Sequence, residues 1–110
     1  MTIQDIITAN YFTLKVPGDP TRTISTPFCC DLLSIAMSKA PADSAWVTVM
    51  GNRNTLAVAS LADVACIVLA EDVQLNETDL TCAQEQGITV FETGMPVFDA
   101  AILIYKLGRP

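Results

Sequence analysis

Residues 45–70, which read AWVTVMGNRNTLAVASLADVACIVLA, decide the fold of this chain. The apolar runs at 45–50 and 65–70 predict two strands that are buried on both faces of a sheet. The loop 51–54 joins the first run to an alanine-rich helix over about 55–63. Because strand, helix and strand follow one another with short loops, we expect the two strands to be parallel and joined by a right-handed crossover.

The same alternation continues to the end of the chain. Asn76 is expected to cap a helix that Gly87 ends in the left-handed conformation. Residues 88–93 read ITVFET and predict the last strand. Pro96 then starts a final helix, which Gly108 ends.

The front of the chain is less regular. Thr2 is expected to cap a helix that ends near Ala9, and alternating apolar residues over 11–16 predict a strand. Residues 21–28 predict a second extended segment, and Asp31 is expected to cap a short helix. The sequence therefore predicts one domain over residues 1–110, of the α/β class: a three-layer α/β/α domain with a mostly parallel central sheet and an irregular N-terminal edge segment.

The composition favours a globular protein without a membrane span. Hydrophobic residues make up 51% of the chain and charged residues 16%, a balance that argues against disorder. No apolar run approaches the ~20 residues that cross a bilayer, and the N-terminus lacks a basic start, so a cytoplasmic protein is expected. The net charge of −6 would repel a phosphate backbone, so no nucleic-acid partner is expected.

The chain has no histidine and four cysteines. The lack of imidazole removes Ser-His-Asp and Cys-His catalytic sites and most zinc or iron centres that use histidine. Cys29, Cys30, Cys66 and Cys82 form no CxxC pair and are interpreted as reduced, small apolar residues. A thiolate or iron–sulfur cluster is the alternative, and the residues favour no metal and no cofactor.

The loop Gly51-Asn52-Arg53-Asn54 follows a buried strand and precedes a helix, which is where ligands sit in open α/β sheets. Arg53 adds a planar donor fork. The loop matches neither GxxxxGK[ST] nor GxGxxG, so it lacks the glycines that wrap a phosphate chain. Two interpretations stay open: a contact with a small ligand or partner through Asn52, Arg53 and Asn54, or a turn whose asparagines cap a helix.

Asp31 and Ser34 form a second candidate, since a carboxylate and a hydroxyl one turn apart can bind a polar ligand. The alternative interpretation is a helix cap beside a solvated serine. Asp72, at a strand end, is compatible with a cation contact. No matched pair of carboxylates or other general base is recognisable, so no catalytic residue is assigned.

These segments together resemble a known family. The recurring features are a DLLS segment (Asp31–Ser34), a W-x-T strand (Trp46, Thr48), an N-x-x-A-V-A-x-L helix (from Asn54 to Leu61) and the closing Gly87-Ile88 and Leu107-Gly108 pairs. The chain resembles the stand-alone proteins of the DRTGG-domain family, a module similar to the N-terminal domain of HPr kinase/phosphorylase and to a module of phosphotransacetylases. The segment that names the family corresponds to PTRTIST, which keeps Arg22 but lacks the acidic residue and the glycine.

The resemblance implies a non-catalytic regulatory or sensing module that binds a small anionic or nucleotide-like ligand or a partner protein. It also implies an association with iron-only hydrogenase or related iron–sulfur proteins of anaerobic bacteria. The rival hypothesis is a small enzyme acting on a phosphorylated or acyl substrate, and the missing motifs count against it. A homo-oligomer is expected from the apolar composition. The candidate ligand-binding residues are Asp31, Ser34, Thr48, Asn52, Arg53, Asn54 and Arg22.

Overall fold

The computed structural model describes residues 1–109, so the last residue of the predicted range 1–110 lies outside it. Within that range, helices and strands alternate around one sheet. In chain order they are α1 (Ile3–Ala9), β1 (Thr13–Val16), β2 (Pro27–Cys29), α2 (Leu33–Lys39), β3 (Ala45–Thr48), α3 (Arg53–Ala62), β4 (Cys66–Leu69), α4 (Glu77–Glu85), β5 (Thr89–Glu92) and α5 (Val97–Leu107).

The sheet has the strand order β1-β5-β4-β3-β2. Strands β2 to β5 run parallel. Ala45 of β3 lies opposite Cys66 of β4, and Cys66 lies opposite Thr89 of β5. Strand β1 is antiparallel to β5, with an irregularity between Leu14 and Val16. The predicted α/β class and mostly parallel sheet are therefore confirmed.

Each face of the sheet carries its own core. On one face, α2, α3 and α4 pack against Trp46, Ile67 and Val90. On the other face, α1 and α5 pack against Val47, Val68 and Phe91 through residues that include Ile3, Ile6, Ala100 and Ile104. Every residue of β3, β4 and β5 is buried, as expected for strands covered on both sides. These two cores make the domain three layers thick.

Most of the predicted helix boundaries are confirmed because they depend on local hydrogen bonds. Thr2 and Asp5 form a reciprocal capping box at the start of α1. The Asn76 side chain accepts the Asp79 amide at 2.8 Å, and Gly87 is left-handed at φ 69°. Of the two asparagines that could cap α3, Asn52 does so by accepting the Thr55 amide at 3.2 Å.

Two expectations for the N-terminal segment are corrected. The extended segment predicted over 21–28 becomes a strand only from Pro27 to Cys29, where it pairs with β3. Asp31 does not cap α2, whose N-cap position is Leu32 without any side-chain cap bond. The Asp31 carboxylate instead accepts hydrogen bonds from the end of β3, described below.

Candidate functional site

All four parallel strands end at the same border of the sheet, which we call the carboxyl edge; the opposite border is the amino edge. The loops after β2, β3, β4 and β5 lie along the carboxyl edge. Ligands of open α/β sheets bind at this edge, because exposed loop groups and helix N-termini gather there.

Asp31 and Thr48 meet at the carboxyl edge. The buried Thr48 hydroxyl donates to Asp31 Oδ1 at 2.7 Å, and the Val49 amide donates to the same oxygen at 3.0 Å. The Thr48 hydroxyl in turn accepts the Met50 amide at 3.2 Å. The exposed Asp31 carboxylate therefore fixes the backbone that leaves β3, and this bridge explains why it is not a helix cap.

The start of α3 presents Asn52, Arg53 and Asn54, and all three are exposed. Arg53 Nε donates to Asp79 Oδ1 at 3.1 Å, and the Asp79 side chain is only 11% exposed while that of Arg53 is 58% exposed. The carboxylate thus holds one side of the guanidinium against the first turn of α4. Both Nη groups of Arg53 are without a hydrogen-bond partner within residues 1–109.

A crevice opens elsewhere along the carboxyl edge, between the ends of β4 and β5. The chain leaves β4 toward the face covered by α4 but leaves β5 toward the opposite face, covered by α5. Adjacent loops that part in this way create the crevice where doubly wound folds bind ligands. We call this cavity the switch-point crevice. It has a volume of about 220 Å³ and is lined by Thr13, Lys15, Asp72, Val73, Gln74, Glu92, Thr93 and Gly94.

The two loops that form this switch-point crevice are bonded to each other. The Asp72 amide donates to the Thr93 carbonyl at 3.0 Å and the Glu71 amide to the Met95 carbonyl at 2.9 Å. Glu71 and Asp72 are both left-handed, at φ 58° and 62°. Such a conformation is uncommon for residues other than glycine and is held here by tertiary hydrogen bonds.

Arg22 lies at the amino edge, away from the other candidate residues. Its Nη2 group donates to Asp43 Oδ1 and Asp63 Oδ1, both at 2.9 Å, and to the Asp63 carbonyl at 2.7 Å. Burial by itself lowers the pKa of Arg22, but its hydrogen bonds to Asp43 and Asp63 and the negative charge of these carboxylates outweigh burial, so the pKa is raised. Arg22 therefore ties together the loops before β3 and β4, beside a smaller cavity of about 120 Å³.

The four cysteines are free thiols. Cys66 is fully buried, and burial raises its pKa to about 12. Cys29 is exposed at the end of β2, where partial burial and the nearby Asp31 carboxylate raise its pKa. Within residues 1–109, no group of three or more histidine, cysteine or acidic residues is placed to hold a metal ion. No helix in the same range is long and apolar enough to cross a membrane.

The structure brings part of the predicted residue set together. Asp31 and Thr48 are in direct contact, and Asn52 to Asn54 follow on the same edge. Ser34 is exposed in the first turn of α2. Arg22 is separated from them by the length of the sheet.

Of the residues that line the crevice, the sequence identifies only Asp72, as a candidate for a cation contact. Lys15, Asp72 and Glu92 come from three separate elements, and only the strand order brings them together. The one sequence signal was the position of Asp72 and Glu92 at strand ends.

No protein-family model and no curated protein matches this sequence. Among solved structures, the chain is similar to the CBS and DRTGG domains of the regulatory region of Clostridium perfringens pyrophosphatase, which was crystallised with its activator, diadenosine tetraphosphate. The TM-score is 0.78 and the sequence identity 11%, over 96% of this chain and 46% of that chain. The chain thus spans about half of that regulatory region, and the similarity shows a CBS/DRTGG-like fold.

Proposed function

We propose that this chain is a non-catalytic regulatory module that binds a small anionic, nucleotide-like ligand at the start of α3. The observation that carries the proposal is the exposed group Asn52, Arg53 and Asn54 at the carboxyl edge, where neither Nη group of Arg53 has a hydrogen-bond partner within residues 1–109. The shared fold supports it, because the similar regulatory region binds a nucleotide activator.

The ligand's negative charge would be met by two features of this edge, which neighbouring carboxylates hold in place. Helix α3 is 10 residues long, and its first amides and dipole favour an anion. The Arg53 fork supplies planar, charged donors, which suit phosphate oxygens. Asp79 orients the guanidinium, and the Asp31–Thr48 bridge fixes the backbone that carries the loop.

Ligand binding at this site would change how the module associates with a partner protein and would not catalyse a reaction. A ligand can shift a protein between states only by its difference in affinity for them. Gly51 lies so close to Val73 Cγ1 and the Gln74 carbonyl that an added Cβ would come within 2.6 Å and 3.2 Å of them. A change in the α3 loop therefore reaches the loop after β4 directly.

The partners of the module are proposed from the resemblance given above: an iron-only hydrogenase or related electron-transfer enzyme of an anaerobic bacterium, in the cytoplasm. A homodimer is proposed from the outer face of α5. Phe98 is 72% exposed and Tyr105 is 44% exposed. They are seven residues apart and therefore lie on the same stripe of α5. The Arg109 guanidinium stacks on the Tyr105 ring, 3.9 Å from its centroid. An apolar stripe of this kind is suited to a second copy of the chain.

Thermal unfolding with a nucleotide panel tests the proposal. We expect diadenosine tetraphosphate, ATP or ADP at 100 times its dissociation constant to stabilise the chain by about 2.7 kcal/mol. Arg53→Ala should abolish the ligand-induced shift, whereas Lys106→Ala, which removes one positive charge from the exposed part of α5, should leave it unchanged. The double variant Arg53→Ala/Asp79→Asn controls for the carboxylate that Arg53→Ala leaves unpaired.

Three results would contradict the proposal. A panel without any stabilising nucleotide removes the ligand class. An equal shift in Arg53→Ala and wild type removes the site at α3. Breakdown of a bound nucleotide, followed by phosphorus NMR, would favour the rival enzyme acting on a phosphorylated substrate.

A further inference from the structure

We infer that the switch-point crevice is a second binding site, specific for the ammonium group of a small zwitterion of amino-acid size. It differs from the proposed α3 site both in place and in the charge of the group it receives. The crevice shares no binding residue with the α3 group, although Gly51 of the α3 loop lies against Val73 and Gln74, which line the crevice.

The first observation is a buried carboxylate that faces the cavity. Glu92 is only 8% exposed, yet it lines the crevice at the end of β5. One of its oxygens, Oε2, accepts the Leu75 amide at 3.4 Å, and within residues 1–109 Oε1 has no hydrogen-bond partner. A carboxylate this buried is normally paired with a cation or with several donors.

The second observation is that the charged residues around Glu92 are also unpaired. Asp72 and Lys15 line the same cavity, and none of the three forms an ion pair in the part of the chain that the structure describes. The chain has no lysine or arginine between Arg53 and Lys106 to neutralise the two carboxylates. Within residues 1–109, the crevice therefore holds two carboxylates and one ammonium that form no direct ion pair with one another, Asp72 and Lys15 being exposed and Glu92 buried.

These charges define the ligand. An ionised carboxylate only accepts hydrogen bonds and a lysine only donates them, so the ligand must donate near Asp72 and Glu92 and accept near Lys15. A ligand ammonium between the two carboxylates supplies the missing positive charge, and a ligand carboxylate satisfies Lys15. Amino acids carry these two groups one carbon apart, and a cavity of about 220 Å³ suits a ligand of that size. Calcium takes six to eight oxygen ligands, and within residues 1–109 no group of three or more histidine, cysteine or acidic residues is placed to hold a metal ion.

Gly94 gives the site its geometry. A Cβ at this position would lie 2.9 Å from Asp72 Oδ1, so the bare glycine is what lets the Asp72 carboxylate sit against the loop after β5. Alanine at 94 would displace a flexible side-chain end and not the backbone. The variant Gly94→Ala therefore moves one binding group while leaving the fold in place.

Amide NMR spectra of the full chain, titrated with the twenty common amino acids, test the inference. Methylammonium and acetate serve as half-ligands. We expect saturable shifts at the Thr93 and Gly94 amides with at least one amino acid, and weaker shifts with methylammonium. Asp72→Asn, Glu92→Gln and Gly94→Ala should each weaken amino-acid binding at least tenfold, and Lys15→Gln should weaken it without changing methylammonium binding.

The variants are chosen to preserve the fold. Asparagine tolerates the left-handed backbone at 72, and glutamine matches glutamate in shape at 92. Glu71→Gln is the matched control, since it removes a neighbouring carboxylate that does not line the cavity. Absence of shifts with every amino acid overturns the inference. So does an equal loss of binding in Glu71→Gln, or binding of ribose and other neutral polyols that is unaffected by Asp72→Asn.

Discussion

The amino and carboxyl edges of the sheet use charge in opposite ways. At the amino edge, one guanidinium bonds two carboxylates and a carbonyl, so that Arg22, Asp43 and Asp63 satisfy one another. At the carboxyl edge, Lys15 and Glu92 face a shared cavity without an ion pair in residues 1–109. Charges that are paired fix loops in place, whereas unpaired charges around a cavity are available to a ligand.

The largest expected difference between the edges is steric. A Cβ on Gly18, at the amino edge, would lie 2.5 Å from Thr89 Oγ1 and 2.8 Å from the Gly87 carbonyl. Gly18→Ala should therefore lower the free energy of unfolding by about 2–3 kcal/mol, since backbone has to move. Gly94→Ala meets only the Asp72 side chain and should cost less than about 0.5 kcal/mol. Urea denaturation measures both, and equal losses would contradict the comparison.

The next largest effect concerns the ion pairs of the amino edge. Arg22→Ala removes the donors that join the loops before β3 and β4 and should cost about 1–2 kcal/mol, because Asp43 and Asp63 are partly solvated. Lys15→Ala removes the same charge from the carboxyl edge and should leave stability unchanged. Should Lys15→Ala prove as destabilising as Arg22→Ala, Lys15 would be structural and not available to a ligand.

A smaller effect is expected from the buried thiol at the amino end of β4. The pKa of Cys66 is about 12 in the folded chain against an ordinary 9.0, so the folded state keeps its proton at pH values where the unfolded state loses it. This stabilisation is full below pH 9 and is lost as the pH rises, by about 0.8 kcal/mol at pH 9.5. Urea denaturation at pH 8 and pH 9.5 measures the loss. Cys66→Ala, although less stable at both values, should not show it.

The smallest effect is a change of rate at the carboxyl edge. The pKa of the exposed Cys29 is raised by partial burial and by Asp31. Asp31→Asn should therefore speed alkylation of Cys29 by iodoacetamide at pH 8 by about 2–3-fold, because more of the thiol is ionised. Mass spectrometry of the modified chain gives the rates, with Cys66 as the unreactive internal standard. A rate that did not change would show that Asp31 does not act on the thiol.

Local features of the fold were predictable from the sequence, and long-range pairings were not. The caps at Thr2, Asn52 and Asn76 bond to amides three residues away, so the pattern alone identifies them. The prediction that Asp31 caps α2 was wrong, because the Thr48 hydroxyl and the Val49 amide, 17 and 18 residues further along the chain, bond to its carboxylate instead. Local propensity carries no information on such a competitor.

The candidate sites divide in the same way. The loop 51–54 was recognisable because a strand and a helix flank it in sequence. Arg22 belonged to no visible group, since its partners lie 21 and 41 residues away. The crevice required the knowledge that β1 lies beside β5 and not beside β2, which brings Lys15 to Glu92. No spacing motif encodes that neighbourhood.

The two outermost strands limit how this protein can aggregate. Strand β2 has only 3 residues and begins with Pro27, and strand β1 has 4 residues, carries Lys15 and is followed by Pro17. Short borders with proline and lysine are poor templates for a further strand from another molecule. Growth into a continuous cross-β ribbon is thus disfavoured on both sides, which leaves the helix faces as the larger surfaces for contact between copies of the folded chain.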